Sequence, residues 1–199
     1  MPDALDSTVL ASRRCGMTST DVSSLTIEHA LLGFLSERPM HGYDIYQQIS
    51  QPNGLGLVWR IKRSQLYALL ARLEGQGYIV ASVEMQDGRP PRRVFHMTEA
   101  GRGAFEAWLT SPVSRPRELR LDFLAKLYFA RREGPEVVFQ LVHVQRVRCR
   151  EWLAEHSALA EACQPDHGFE RLVWQFRSSQ LEAILTWLDD CGRDPREPG

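Results

Sequence analysis

The chain has 199 residues, of which 43% are hydrophobic, and its formal net charge is -1. That length suffices to bury a core in one or two domains, and the lack of an apolar run of about 18 residues argues against a membrane span. Four widely spaced cysteines form no C-x-x-C pair and the N-terminus shows no signal core, so we expect a reduced, cytoplasmic protein.

The N-terminal residues differ in composition from the rest of the chain. Residues 1–24 are rich in Ser, Thr and Asp and show little hydrophobic periodicity, which predicts a mobile arm. Within this arm, Met17 is an alternative start of translation. The first helix is expected to start near Leu25 and to end before Pro39, because proline interrupts the helical pattern. Residues 43–49 supply the second helix.

A third helix follows, and its two faces differ sharply. Its apolar stripe at helical spacing consists of Leu66, Leu69, Leu70 and Leu73. The opposite face carries small or hydrogen-bonding residues, where a solvated helix usually carries Lys and Glu. Small residues let a helix approach the floor of a DNA major groove, and Ser, Tyr and Arg side chains reach bases and phosphates. The residues predicted to face the groove are Ser64, Tyr67, Ala68 and Arg72.

The next segment has the pattern of a β-hairpin. Residues 79–86 alternate between apolar and polar side chains, which is typical of a half-buried strand, and a second short strand is expected at residues 94–97. Residues 87–93 form the turn, which two prolines stiffen and three arginines charge. Thr98 is the predicted N-cap of a further helix. Helix, helix, strand, basic turn and strand together predict a winged helix-turn-helix domain over residues 25–110.

Basic residues are concentrated in this domain. Residues 58–96 hold seven Lys or Arg against three Asp or Glu, a local charge of +4 in a chain of net charge -1. Such a concentration suits binding to a phosphate backbone. Arg89, at the tip of the wing, is expected to enter the minor groove. The residues predicted to hold phosphates are Lys62, Arg63, Arg89, Arg92 and Arg93.

The C-terminal half reads as helical. Residues 111–118 form a proline-containing linker, residues 119–192 contain three helical patterns, and residues 193–199 are a tail. The long second pattern, residues 135–163, shows alternating spacings of three and four, which indicates a coiled-coil-like seam. We expect this seam to pair two copies of the chain, although the same helices fold back on their own chain in an alternative arrangement. The predicted dimerisation residues are Val138, Val142, Cys149, Trp152, His156 and Leu159.

Several runs of the sequence resemble the PadR family of bacterial transcription regulators. They are residues 41–45 (HGYDI), 64–79 (SQLYALLARLEGQGYI), 88–95 (GRPPRRVF) and 98–102 (TEAGR). Residues 121–129 (LDFLAKLYF) resemble the start of the longer C-terminal helical domain that part of this family shares with virulence activators. The resemblance implies a homodimer that binds double-stranded DNA. It also implies that a small aromatic effector such as a phenolic acid regulates some members.

The chain is therefore expected to be mostly α-helical with a small β-hairpin, built as an N-terminal winged helix-turn-helix domain and a C-terminal helical dimerisation domain. The expected function is sequence-specific binding to a pseudo-palindromic operator, as a repressor. The alternatives are a winged-helix module for protein association and a ligand-binding helical dimer without DNA binding. No phosphate loop, nucleophile elbow or H-E-x-x-H run is present, so we expect no enzyme activity, cofactor or metal.

Overall fold

The computed structural model describes residues 19–86, 89–164 and 166–192, and for residues 19–26, 86, 89 and 90 it describes the backbone alone. Single 3₁₀ turns occupy Leu55–Leu57 and Pro116–Arg120. In chain order, the helices and strands are α1 (Ser19–Glu37), β1 (Met40–His41), α2 (Gly42–Ile49), α3 (Arg63–Gly75), β2 (Ile79–Gln86), β3 (Arg89–Met97), α4 (Glu99–Thr110), α5 (Asp122–Glu133), α6 (Pro135–Ala162) and α7 (Gly168–Cys191).

This architecture confirms the mostly helical fold with a winged helix-turn-helix at its N-terminal side. The four leucines of the α3 stripe are buried, as predicted. Thr98 is the N-cap of α4, because its hydroxyl oxygen accepts a hydrogen bond of 3.1 Å from the backbone N–H of Gly101. Among the described residues, no helix combines the length and the apolar character needed to cross a membrane.

Helix α1 is longer than the sequence suggested. It begins at Ser19, so the predicted arm is wrong for residues 19–24, whereas residues 1–18, with Met17, and the tail 193–199 lie outside the described residues. Ser, Thr and Asp are favoured at helix starts, where their side chains cap the backbone and an acid complements the helix dipole. Their abundance therefore does not exclude a helix that continues into the apolar residues 27–35.

The wing is a longer hairpin than predicted. Strand β3 begins at Arg89, so residues 89–93 lie in a strand and not in a turn, and only residues 87 and 88, which lie outside the described residues, separate β2 from β3. The sheet order is β1-β3-β2, and the short β1 was not predicted. Because β1 pairs only with Val94 and Phe95, residues 90 and 91 lie where one edge of β3 is open, and proline is tolerated there.

The hairpin projects away from the core. Ile79 at its base is buried, but Val83 and Met85 on the same face are 62% and 81% exposed. The predicted half-buried strand is therefore buried only near its start. A tight turn connects α3 to this base, with Gly77 at φ +76° and the N–H of Tyr78 bonded to the carbonyl of Leu73 at 3.0 Å. A left-handed residue at a helix end of this kind favours glycine.

The predicted linker is packed against the helices. Val113 is buried, and its backbone N–H donates a 2.8 Å hydrogen bond to Oε1 of Gln145, which is itself fully buried on α6. Residues 116–120 then form a 3₁₀ turn that leads into α5. Buried backbone groups need partners, and Gln145 supplies one for this segment. Val113 thus anchors this segment to α6, whereas most of its other residues are exposed.

The seam predicted on α6 lies mostly inside a single chain. Val142, Cys149 and Trp152 are buried by α6 packing on α5 and α7 of the same molecule, so their prediction as dimerisation residues is wrong. Val138 is half-buried against the same core, and Leu159 is exposed and remains a prediction. A heptad-like pattern requires a partner helix, but it does not specify whether that helix belongs to the same chain.

His156, the remaining predicted dimerisation residue, also has its partner within the chain. Its ring lies 5.3 Å, centroid to centroid, from the indole of Trp174 on α7. Burial, and then the nearby Arg177, lower the pKa of His156. The ring of His156 therefore packs as an aromatic group against α7 of its own chain.

A buried lysine joins the two halves of the molecule. The side chain of Lys126 on α5 is 2% exposed. Its Nζ donates a hydrogen bond of 2.8 Å to the carbonyl oxygen of Ser111 and lies 3.8 Å from the carboxylate of Asp122. It also lies 5.4 Å from the ring centre of Trp108, whose Nε1 donates to Asp122 at 2.8 Å. Trp108 in turn stacks on His29 of α1. Burial lowers the pKa of Lys126.

We expect Lys126→Ala to lower the free energy of unfolding by roughly 3–5 kcal/mol, because it leaves Asp122 buried without its cation. Lys126→Met keeps most of the side-chain volume but also removes the cation, so it should lower the free energy of unfolding by a similar amount. Urea unfolding of the three proteins measures these changes. A methionine variant that stays within about 1.5 kcal/mol of the parent chain, as a volume-conserving change does, would contradict the role given to the charge.

Candidate nucleic-acid interface

The exposed face of α3 is defined by what its other face buries. Because Leu66, Leu69, Leu70 and Leu73 all point into the core, the opposite residues are left exposed. All four residues predicted to face the groove, Ser64, Tyr67, Ala68 and Arg72, are exposed on this surface, which Gln65 and Ala71 extend. Tyr67 is the largest side chain on it and is 44% exposed.

Two cations stand at the start of this helix. Lys62 is the exposed residue that precedes α3, and Arg63 is the first helical residue. The guanidinium of Arg63 lies over two rings of α2, at 5.2 Å from the ring centre of Tyr43 and 5.5 Å from that of Tyr46. Such cation–π contacts restrict the side chain without neutralising it. The positive charge of Arg63 is therefore kept at the N-terminal end of α3.

The wing arginines have different environments. Arg92 is exposed, and it forms no ion pair with any residue that the structure describes. Arg93 binds both carboxylate oxygens of Glu74, at 2.7 and 2.8 Å, and its guanidinium lies over the ring of Phe95. Arg89 is the first residue of β3, and its side chain lies outside the described residues. Of the wing arginines whose side chains are described, Arg92 is thus the one that can accept an external anion, whereas Arg93 ties the wing to α3.

Arg72 also has an internal partner. Its Nε donates to the carboxylate of Glu28 on α1, whose side chain is 4% exposed. A buried carboxylate without a partner is costly, so this pair anchors the C-terminal half of α3 to α1. Arg72 therefore orients the helix, and a base contact by this residue would require the pair to open.

The helix face and the wing meet at one cleft. A cleft of about 400 Å³ separates α3 and the start of α2 from β3. The structure thus brings together Tyr67, Arg92 and Arg93 from the predicted set. The residues that line the cleft are His41, Gly42, Tyr43, Asp44, Tyr67, Pro91, Arg92, Arg93 and Phe95.

Some residues of this region were not in the predicted set. Tyr43 and Gln65 lie on the exposed surface, and Glu28 lies beneath it. A helical projection of α3 is enough to place Gln65 beside Ala68, three residues further along the helix. The signal for Glu28 is a single acid within the apolar residues of α1. Within the described ranges, no cluster of His, Cys, Asp and Glu has the makings of a metal site.

Two family models match the chain in succession. Residues 31–107 match the transcriptional regulator PadR-like family, and residues 119–193 match the virulence activator alpha C-term domain. The negative transcriptional regulator PadR of Bacillus subtilis (strain 168) is 23% identical over 179 residues, which cover 82% of this chain and 97% of that protein. A probable transcriptional regulator of Mycobacterium tuberculosis (strain ATCC 25618 / H37Rv) is 27% identical over 93 residues, 47% of this chain and 48% of its own.

Among solved structures, the crystal structure of Bacillus subtilis PadR in complex with operator DNA is 22% identical, with a TM-score of 0.43, and the match covers 84% of this chain and 98% of that one. The structure of the same protein in complex with p-coumaric acid has a TM-score of 0.39 at 22% identity, and that match covers 86% and 98% of the two chains. The family models together span both halves of the fold. The chain belongs to the PadR-like family of transcriptional regulators, a class without enzymatic activity.

Proposed function

We propose that the chain is a sequence-specific repressor that binds a pseudo-palindromic DNA operator as a homodimer. The observation that carries this proposal is the surface of α3. Its exposed face holds small and hydrogen-bonding residues, and it lies across one cleft from Arg92, a wing cation without an ion pair among the described residues. A helix of this kind fits a major groove while a charged wing follows the backbone.

Each exposed residue receives a role in this proposal. Ser64 and Ala68 face the bases, and Gln65 joins them because amide side chains form paired hydrogen bonds with adenine. Tyr67 lies at the edge of this face, where it lines the cleft beside the wing. Arg72 steadies α3 through Glu28, as its ion pair indicates. Phosphates are held by the cations at the start of α3 and on the wing, and these are Lys62, Arg63, Arg89 and Arg92, with Arg93 in support.

Dimerisation is assigned to the outer face of α7. Phe169, Leu172 and Phe176 are exposed at spacings of three and four residues, so they form one apolar stripe along the helix. A second copy that covers this stripe gives a two-fold dimer. Its two α3 helices would meet half-sites about 34–36 Å apart, which is one turn of DNA.

Repression and its relief complete the proposal. The Bacillus subtilis relative, which this chain matches over 97% of its length, is a negative regulator, and its crystal structures contain operator DNA in one case and p-coumaric acid in the other. We therefore assign this chain to repression in the cytoplasm, with release by a small planar aromatic acid. Addition of p-coumaric acid to the protein–DNA complex tests the release.

Selection of bound duplexes from a randomised DNA pool, at moderate and then raised salt, tests the function itself. We expect recovery of a two-fold-related motif that the double variant Tyr67→Ala/Arg92→Ala does not bind. The opposite result would be that the parent chain enriches no DNA sequence but captures a protein from a cell extract. That result would favour a winged-helix module for protein association.

The salt dependence of binding tests Arg92 separately. A phosphate contact releases a counterion, so Arg92→Ala should reduce the slope of log K against log salt by about 1. Arg102→Ala is the matched control, because it removes the same charge from α4, where the exposed Arg102 lines a different cleft. Its slope should equal that of the parent chain. An unchanged slope for Arg92→Ala would remove this residue from the phosphate contacts.

A further inference from the structure

The cleft between α2, α3 and the wing has features of a binding site in its own right. It holds about 400 Å³, within the range of small-ligand sites. Its walls come from three elements that are distant in sequence, and it opens on the surface assigned to DNA. This position lets one group of the DNA be enclosed between helix and wing, beyond what either surface would contact alone.

The side chains that line the cleft supply hydrogen-bond donors. Arg92 offers an unpaired guanidinium within the described part of the chain. The hydroxyl of Tyr43 accepts a hydrogen bond of 3.1 Å from Nε2 of Gln47, which leaves its proton for another acceptor. The hydroxyl of Tyr67 is a third donor on the α3 side. All three residues line the cleft that the wing bounds.

The charges in the cleft indicate what kind of anion it suits. Arg93 is already paired with Glu74, so the remaining formal charges are those of Arg92 and Asp44, which lines the same cleft. His41 lies nearby, with Nδ1 at 3.3 Å from the carbonyl of Arg93 and Nε2 at 3.7 Å from Glu84. A phosphodiester carries one negative charge, so Asp44 repels it less than it repels a free phosphate or a phosphate monoester, which carry more charge.

Gly42 determines the position of Tyr67 at this site. A Cβ atom at residue 42 would lie 2.7 Å from Cε1 of Tyr67 and 3.1 Å from its hydroxyl oxygen. Real Cβ atoms do not approach a ring so closely, so any side chain at this position would displace Tyr67. Gly42, the first residue of α2, thus lets α2 pack directly against the ring of Tyr67 on α3.

We propose that this cleft binds one phosphodiester group of the DNA backbone, through Arg92, Tyr43 and Tyr67, and that Gly42 is a positioning residue that keeps Tyr67 in place for it. The inference rests on the proposed DNA-binding function. It assigns one specific phosphate in each half-site to one specific cleft. Because this phosphate contacts both α3 and the wing, it fixes the position of α3 in the major groove. Base contacts by α3 therefore depend on it.

The test is a scan of neutral phosphates in the duplex recovered by selection. A single methylphosphonate is placed at each backbone position of one half-site, and its effect on affinity is measured for the full chain and for Arg92→Ala and Tyr43→Phe. At one position, neutralisation should weaken binding by the parent chain at least about tenfold, the usual effect of losing a hydrogen bond to a charged group. At that position, it should weaken binding by each variant less than it weakens binding by the parent chain, since one of the three contacts to that phosphate is already missing.

Gly42→Ala provides a second arm. It should weaken binding about tenfold and reduce the effect of the same methylphosphonate, while circular dichroism shows an unchanged fold. Gly103→Ala is its matched control, because no atom lies within 4 Å of a Cβ at that helical position, and it should bind as the parent chain does. At equal ionic strength, sodium phosphate and sodium chloride should weaken binding equally.

The outcomes separate this inference from the function on which it rests. If every methylphosphonate has the same effect on the parent chain and on the variants, the assignment of a phosphate to the cleft is wrong. DNA binding itself would still stand. Normal binding by Gly42→Ala would overturn the positioning role. A specific effect of sodium phosphate would assign the cleft to free phosphate and overturn the phosphodiester. A chain that binds no duplex at all would overturn both the function and the cleft.

Discussion

Trp152→Asp is expected to leave the chain unfolded at room temperature. The indole of Trp152 is buried between the helices of its own chain and lies under the guanidinium of Arg148, at 5.0 Å from the ring centre. Truncation of a buried aromatic costs about 3–5 kcal/mol, and a buried carboxylate adds to that cost. The sum approaches the whole stability of a domain, about 5–15 kcal/mol. Circular dichroism and solubility after expression measure the outcome.

Leu159→Asp is the matched control for this substitution. Leu159 lies two turns further along α6 but is exposed, so the same change should keep the fold with a thermal midpoint close to that of the parent chain. Trp152→Ala, which is milder, should lower the thermal midpoint by the same amount at every protein concentration. A well-folded, monomeric Trp152→Asp protein would show instead that Trp152 contacts a second copy.

The double variant Leu172→Asp/Phe176→Asp is expected to be a folded monomer that binds its operator about 10²–10⁴-fold more weakly. In a dimer, binding of one half-site holds the second DNA-binding domain close to the other half-site, and a monomer lacks this gain in affinity. Both side chains are 63% exposed in the single chain, so the intrachain core loses little when they change. Two pairs of aspartates would meet across the proposed interface, where they could not be paired. Light scattering and operator titration measure the two effects.

Gln175→Asp is the control on the same helix. It introduces an acid about 100° around α7 from Phe176, on an exposed position outside the apolar stripe. Dimer and operator affinity should therefore be retained. A double variant that remains dimeric by light scattering would place the interface elsewhere on the molecule, without affecting the assignment of α3 to the DNA.

Local patterns were sufficient to predict the winged helix-turn-helix. The leucine stripe of α3 has the helical period, the N-cap at Thr98 follows from residue type, and the alternation of β2 is visible at its base. These features depend on neighbours within a few residues. The face that carries Ser64, Tyr67 and Ala68 was predictable for the same reason, since burying one side of a helix determines which residues remain outside.

Local sequence patterns could not predict the contacts between segments that are distant in the chain. The pair of Glu28 with Arg72 joins residues 44 positions apart, and β1 exists only because two residues meet the middle of β3. The seam of α6 was recognised, but its partner was misassigned because α7 and a second copy offer the same kind of apolar surface. Periodicity predicts that a face is covered, and the tertiary fold decides by which segment.

Two adjacent residues of α1 connect parts of the molecule that the two family models treat separately. Glu28 holds the arginine of α3, while His29 stacks on Trp108, which leads through Asp122 to the buried lysine of α5. A chimera that joined residues 19–118 to the C-terminal helices of a relative would have to import the lysine and its acid together. Grafting one half without this match would leave Trp108 without the partners that connect it to α5, even if each half were intact.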